Sequence, residues 1–386
     1  MPPSNTIYLD CAATTPLLPE IADVFLAGSR DFPANPASQH RAARAARAAL
    51  EQAREELAAL LGCLVTGRAP DRVIYTSGGT EANNLALLGL TAGQPPGRVV
   101  VSAIEHPSIL ETAKALRTEG WRVDHWPVTS AGQVDLTRIE SILDDAPPPR
   151  LVSVMLGNNE TGALQPVREI AAACRARGIL VHTDAVQAVG KVPVHFRELD
   201  VDLLSLAGHK FHAPRGVGAL IARDAVPLVP QLYGGFQQAG IRPGTETVAL
   251  PLAMTAALRL AQDNLAARTA HLVSLQHQLE SGLRQIYPAV EFIAADGLRL
   301  PHITNAALVG IDRQALLLAL DLAGVAVSTG SACASGSSEP SPVLLAMDLP
   351  RALVDSSLRF SWGGTTSAFE ISDALVRMKG VLGRIC

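Results

Sequence analysis

The sequence has few aromatic residues, 4% of 386 positions, and little net charge, with 32 Lys and Arg set against 36 Asp and Glu for a balance of −4. No basic field is available to hold nucleic acid or an anionic lipid surface, so neither is expected as a partner and a small-molecule substrate is. Long hydrophobic runs are also missing. The most apolar stretch, 315–327, is interrupted by Asp321 and is too short to cross a bilayer, and the chain does not open on a basic region followed by an apolar core. A cytoplasmic protein with no membrane contact is expected.

Cysteine is scarce. Cys11, Cys63, Cys174, Cys333 and Cys386 form an odd set with no close pair of metal-ligand or redox spacing, which argues against a disulfide framework and offers no metal site. Cys63 and Cys174 fall within helical patterns and read as small buried hydrophobes. Cys333 is different, because the run from Ser328 to Ser338 around it is too small and polar to pack as core. A thiol there is expected to be exposed and mobile, as a swinging nucleophile must be; the plainer alternative is a loop that happens to contain cysteine.

What the chain has in quantity is hydrophobic residues, 48%, too many for one ordinary core and suited to two packed domains. An Ala/Arg-rich segment, 37–61, has the periodicity of one amphipathic helix with a solvated arginine face. Short apolar runs at 72–76, 98–102, 150–156, 179–183, 202–206 and 217–222 then alternate with helical patterns such as 107–119 and 167–177. That alternation predicts an α/β fold with an open sheet covered on both faces. A long helical pattern over 248–286 leads into a final third of mixed strand and helix, expected as a smaller domain.

In such sheets ligands gather at the carboxyl ends of strands, and the unusual residues of this sequence fall there. Ser77-Gly78-Gly79-Thr80-Glu81-Ala82-Asn83-Asn84 is a glycine turn opening a helix, either a phosphate cradle with Gly79 and Thr80 or an ordinary turn with a capping threonine. Asp184 follows one strand, with Gln187 just beyond it, and Lys210 follows the next in Ala207-Gly208-His209-Lys210. A carboxylate and a lysine at neighbouring strand ends are what a pyridoxal phosphate site needs, one to keep the ring nitrogen protonated and one to bind the aldehyde. Taken singly, a capping aspartate and a solvated lysine are the plain alternatives. His106, before Pro107, reads equally as a ring-stacking or proton-shuttling group and as a capping loop residue. Asn159, in Asn158-Asn159-Glu160-Thr161-Gly162, can donate to an anionic oxygen or simply make a turn, and Arg359, in an apolar run, reads as a carboxylate clamp or an edge-strand arginine.

Together these segments resemble the cysteine desulfurases of the NifS and IscS type, within the class V aminotransferase superfamily of fold-type I pyridoxal phosphate enzymes. The likeness spans nearly the whole chain: Tyr8-Leu9-Asp10, Ala12-Ala13-Thr14-Thr15, the SGGTEANN segment, Glu105-His106-Pro107, NNETG, His182 to Gln187, Gly208-His209-Lys210 and Gly330-Ser331-Ala332-Cys333 stand in family order. The resemblance implies a large cofactor domain, 14–255, with a mainly parallel seven-stranded sheet. It also implies a smaller α+β domain from 1–13 and 256–386 that carries the cysteine loop, and a homodimer. It gives Lys210 the cofactor, Asp184 the ring nitrogen, Gln187 the ring hydroxyl oxygen and His106 the ring face. Gly79, Thr80 and His209 would hold the phosphate, joined by Thr245 from the partner subunit. Asn159 and Arg359 would bind the L-cysteine carboxylate, and Cys333 would take the sulfur as a persulfide for an acceptor protein such as an iron–sulfur scaffold. A selenocysteine or cystine lyase of the same fold, and an inactive scaffold homologue, are the alternatives. The departures are Cys11 for asparagine, Ala207 for serine, Pro243 and Thr247 in the segment around Thr245, and Pro342 for histidine.

Overall fold

Continuous runs of Val, Ile and Leu form the middle of the protein because helices cover both of their faces. The computed structural model describes residues 6–330 and 339–385. Its strands, in chain order, are β1 (Ile7–Tyr8), β2 (Arg72–Thr76), β3 (Arg98–Ser102), β4 (Arg122–Trp126), β5 (Leu151–Ser153), β6 (Leu180–Asp184), β7 (Leu203–Ala207), β8 (Gly218–Ala222), β9 (Val290–Phe292), β10 (Ile303–Leu308), β11 (Val325–Ala326) and β12 (Ser357–Ser361). Seven of them form one sheet in the order β2-β8-β7-β6-β5-β3-β4, in which β8 alone runs opposite to the other six. The expected mainly parallel α/β sheet is present, and β3, β5, β7 and β8 are buried along their whole lengths.

Two elements differ from the sequence reading for identifiable reasons. β4, Arg-Val-Asp-His-Trp, was not among the expected strands because only its second and last residues are buried; as the outermost strand it has one neighbour and keeps polar side chains at the rim. The pattern over 248–286 is two helices, Ala249–Asp263 and Leu265–Ile286, broken at Asn264. The first packs on helices Pro19–Asp31 and Arg41–Leu60 against the large sheet. Leu272, Leu275, Leu279 and Leu283 of the second join a separate core with Ile7, Leu9, β10 and β12. The break thus passes the chain from one core to the other.

The Ala/Arg-rich segment forms the helix Arg41–Leu60, burying Ala43, Ala46, Leu50, Ala53 and Leu57 at helical spacing. Arg41, Arg44 and Arg47 face solvent as expected, whereas Arg54 turns inward over the Tyr75 ring, 4.8 Å from its centroid. Cys174 is a buried core thiol. Cys63 lies just past this helix rather than in it and is half-buried, because Gly62 adopts φ +65° and ends the helical path. Among the described residues no helix is long and apolar enough to cross a membrane.

Candidate active site

The parallel strands deliver their carboxyl ends to one edge of the sheet, where a cavity of about 280 Å³ opens. Gly79, Thr80, His106, Asn159, Asp184, Gln187, His209, Lys210 and Arg359 all line it. Nine positions, from 79 to 359, meet here because eight of them follow or end a strand of the large sheet and Arg359 lies within β12.

Asp184 is the last residue of β6 rather than the first beyond it. It is buried, and its carboxylate accepts from the Val186 N–H at 2.9 Å and from Asn83 Nδ2 at 2.7 Å. Gln187, also buried, donates from Nε2 to the Ala12 carbonyl at 2.9 Å and stands 3.4 Å from His302 Nε2 through Oε1. Burial drives His302 well below the ordinary histidine range, with the cations Lys191, Lys210 and Arg359 adding to the effect, so its ring is neutral.

Lys210 sits on a short 3-10 turn after β7, and its Nζ donates to the carbonyls of Ala12 and Ala13 at 2.6 and 2.8 Å. The same turn is tied to the N-terminal segment by Thr15, whose Oγ1 donates to the His209 carbonyl. His209 lies 3.1 Å from Thr14 Oγ1 through Nδ1, and burial, then Lys210, pushes its pKa down to about 4. The ring therefore acts as a neutral hydrogen-bonding group.

The helix Gly79–Thr91 starts at the cavity, so its first N–H groups face inward and favour an anion there. A Cβ at Gly79 would stand 2.8 Å from Val186 Cγ2, so only glycine lets this turn close on the loop after β6. Ala207, buried at the end of β7, would lie 3.5 Å from that same Cβ position. His106 caps the helix Pro107–Thr118 through Nδ1, which accepts from the Ser108 N–H at 3.1 Å. Burial is the main cause of its lowered pKa, Asp184 opposes the shift, and Lys210 adds to it.

At the other end of the cavity Arg359 is 1% exposed, which rules out a surface edge-strand position for it. β12 pairs with β10 and also touches Ser328 and Asp10 through isolated bridges, so Arg359 is enclosed. Its Nη2 pairs with Asp10 Oδ1 at 2.7 Å and its Nη1 donates to the Asn159 carbonyl at 2.9 Å, while Nε is buried with no partner among the described residues. Asn159 Oδ1 is likewise buried and unpartnered among them. Thr245 is not on this cavity; it lines a smaller cleft with Gln238, Arg242 and Glu246. Cys333 lies outside the described residues. Cys11 is buried against the Gly363 backbone, and burial pushes its thiol up to about 12, with Lys191 acting the other way. The departure at Pro342 has a local reason, since it starts the helix Pro342–Ala346 that Ser341 caps, a position where its missing N–H costs nothing.

Residues 7–373 match the family described as aminotransferase class-V. The chain belongs to that family. Among its relatives, cysteine desulfurase 2 of Trichormus variabilis is 39% identical over 384 residues, covering 99% of this chain and 94% of the relative. A solved NifS-like protein superposes with a TM-score of 0.90 at 30% identity, covering 98% of this chain and 100% of that one. SspA, solved in complex with cysteine, superposes with a TM-score of 0.81 at 28% identity, covering 93% and 99%. The class-V likeness thus covers every wall of the cavity and most of both cores.

The sequence reading did not single out Asn83 or Ser108 as cavity groups, nor His302 behind Gln187. Asn83 lies inside the glycine-turn motif and Ser108 follows the His106-Pro107 pair, so both were in view without a stated partner. Only the folded chain brings Asn83 to Asp184, 101 positions on.

Proposed function

We propose that the chain is a cysteine desulfurase that holds pyridoxal phosphate in this cavity and converts L-cysteine to L-alanine while placing the sulfur on Cys333. The observation that carries the reading is the pairing of the Asp184 carboxylate and the Lys210 amine at the carboxyl ends of adjacent strands of one cavity. The residues fit the group. A carboxylate stands ready for a ring nitrogen, a helix N-terminus and His209 for a phosphate, and an imidazole for a ring face. Two buried polar atoms, Asn159 Oδ1 and Arg359 Nε, have no partner among the described residues at the substrate end. Buried polar groups are rarely left so, and a ligand there would satisfy them.

Pyridoxal phosphate, when bound, supplies an electron sink for the pair released at the substrate Cα. Lys210 would hold the cofactor and then, displaced by the substrate amine, take the proton from Cα. Asp184 would keep a proton on the ring nitrogen, its two hydrogen-bond donors fixing the carboxylate plane. Arg359 and Asn159 would grip the carboxylate, aligning Cα–H for removal. The sulfur step balances without an external oxidant: the Cβ–S bond breaks, a sulfur–sulfur bond forms on Cys333, and two protons complete the alanine, one at Cα and one at Cβ.

A homodimer belongs to this reading. Thr245 lies off the cavity of its own chain, and nearby Tyr233 and Phe236 are 90% and 95% exposed, as residues that a second copy covers would be. Comparing turnover of L-cysteine, L-selenocysteine and L-cystine tests the assignment. The desulfurase reading requires alanine from cysteine and loss of that turnover in Cys333→Ser, whereas a lyase would retain it.

A further inference from the structure

Between Asp184 and His106 lie Asn83, so far only a donor to the Asp184 carboxylate, and Ser108, without a role in the reaction as proposed. Asn83 Nδ2 donates one hydrogen to Asp184 Oδ2 at 2.7 Å and the other to Ser108 Oγ at 2.8 Å. The amide can take only this orientation, because turning its oxygen toward a carboxylate would set two acceptors face to face. Ser108 Oγ, accepting from Asn83, has a single proton to give, and His106 Nδ1 lies 2.8 Å away. The Ser108 backbone N–H converges on the same ring nitrogen at 3.1 Å. Two donors meeting at Nδ1 require a lone pair there, so the ring proton belongs on Nε2. Asn83, Ser108 and Asp184 are all buried, so water does not compete for these bonds.

We propose that Asn83 and Ser108 are positioning residues that hold His106 in its neutral Nε2–H tautomer, so that the ring presents a hydrogen-bond donor to the cavity and is oriented from the Asp184 carboxylate. Nothing else in the sequence context of a capping histidine fixes the tautomer, since a lone backbone N–H would leave the ring free to swing off its cap. Protonating the ring to a cation would put a third hydrogen between the two donors and force Ser108 to rotate. The charges that act on the ring are Asp184 and Lys210, which oppose each other. What the Nε2–H edge meets rests on the proposed function; the tautomer itself does not.

Long-range proton–nitrogen spectra of protein labelled with nitrogen-15 histidine, recorded with and without pyridoxal phosphate, test this directly, with His106→Gln assigning the signal. The expected result is a pyridine-type Nδ1 and a pyrrole-type Nε2 in the wild type. In Ser108→Ala the tautomer ratio should shift toward Nδ1–H by about tenfold, and kcat for cysteine should fall about five- to tenfold with KM within about twofold. Ser108→Thr, which keeps the hydroxyl, should restore both readings. A pyrrole-type Nδ1 in the wild type, or a Ser108→Ala ratio identical to the wild type, would overturn the proposal. A wild-type protein that shows this tautomer but makes no alanine would remove the proposed function and leave the tautomer assignment standing.

Discussion

Asp184 ends β6 and is paired in parallel register with Ser205 of β7, whose next turn carries Lys210, so an anion and an amine stand at neighbouring strand ends on the same side of the sheet. Lys210 Nζ reaches the carbonyls of Ala12 and Ala13, which joins the amine to the start of the chain. Lys210→Ala should therefore abolish the visible absorption of bound cofactor and all turnover of cysteine. Wild-type activity in that variant would end the assignment.

Arg359 should act on substrate affinity more than on the chemical step. Hydrogen bonds to a charged partner contribute about 1.5–3 kcal/mol, so Arg359→Lys, which loses the fork, should raise KM about ten- to a hundredfold. Its ion pair with Asp10 offers a control. Asp10→Asn breaks the pair without removing the guanidinium; if it raises KM as much as Arg359→Lys does, the arginine is structural.

Ala207 supplies a methyl at the end of β7 beside the glycine turn, where the resemblance to the cysteine desulfurases implies a serine hydroxyl toward the phosphate. Ala207→Ser should slow pyridoxal phosphate loss on dialysis by about ten- to a hundredfold, the weight of one hydrogen bond to a charged group. Equal or faster loss from the serine variant would mean that another donor already fills this place.

Glu105 is buried with Oε1 accepting from Ser102 Oγ and the Met155 N–H, while Oε2 has no partner among the described residues. Burial pushes its pKa up to about 8, the Ser102 bond opposing and the Asp184 charge adding. The folded protein thus keeps a proton that the unfolded chain releases near its ordinary value of 4.5. Between those values the unfolded state binds fewer protons, so this group lowers stability as pH rises through the window. Urea midpoints should show that decline in the wild type and a flatter profile in Glu105→Gln. Parallel profiles would mean that the carboxyl is ionised in the folded state.

Much of this site was legible because its residues sit where strand periodicity stops. β2 and β3 were readable to the residue, being apolar runs that open on Arg72 and Arg98 and close at Thr76 and Ser102. β4 was not, because only Val123 and Trp126 of this edge strand are buried and its Arg, Asp and His look like loop. Arg359 was readable as a candidate, but its complete enclosure depends on Ser328 and Asp10 arriving from distant parts of the chain. The Asn83–Ser108–His106 chain has no sequence signal of its own, since its partners are fixed by tertiary contact. Cys63 failed because helical periodicity ran on past the glycine that ends the helix.

The central claim is that sulfur leaves cysteine and arrives on one thiol of this chain. The most direct measurement is a single turnover with sulfur-35 L-cysteine, counting alanine released and locating the label by peptide mass spectrometry. The account predicts one alanine for each labelled Cys333, and no alanine-linked label in Cys333→Ser although that variant still binds pyridoxal phosphate. Label on Cys11 or Cys386, or alanine formed at the wild-type rate by Cys333→Ser, would contradict it.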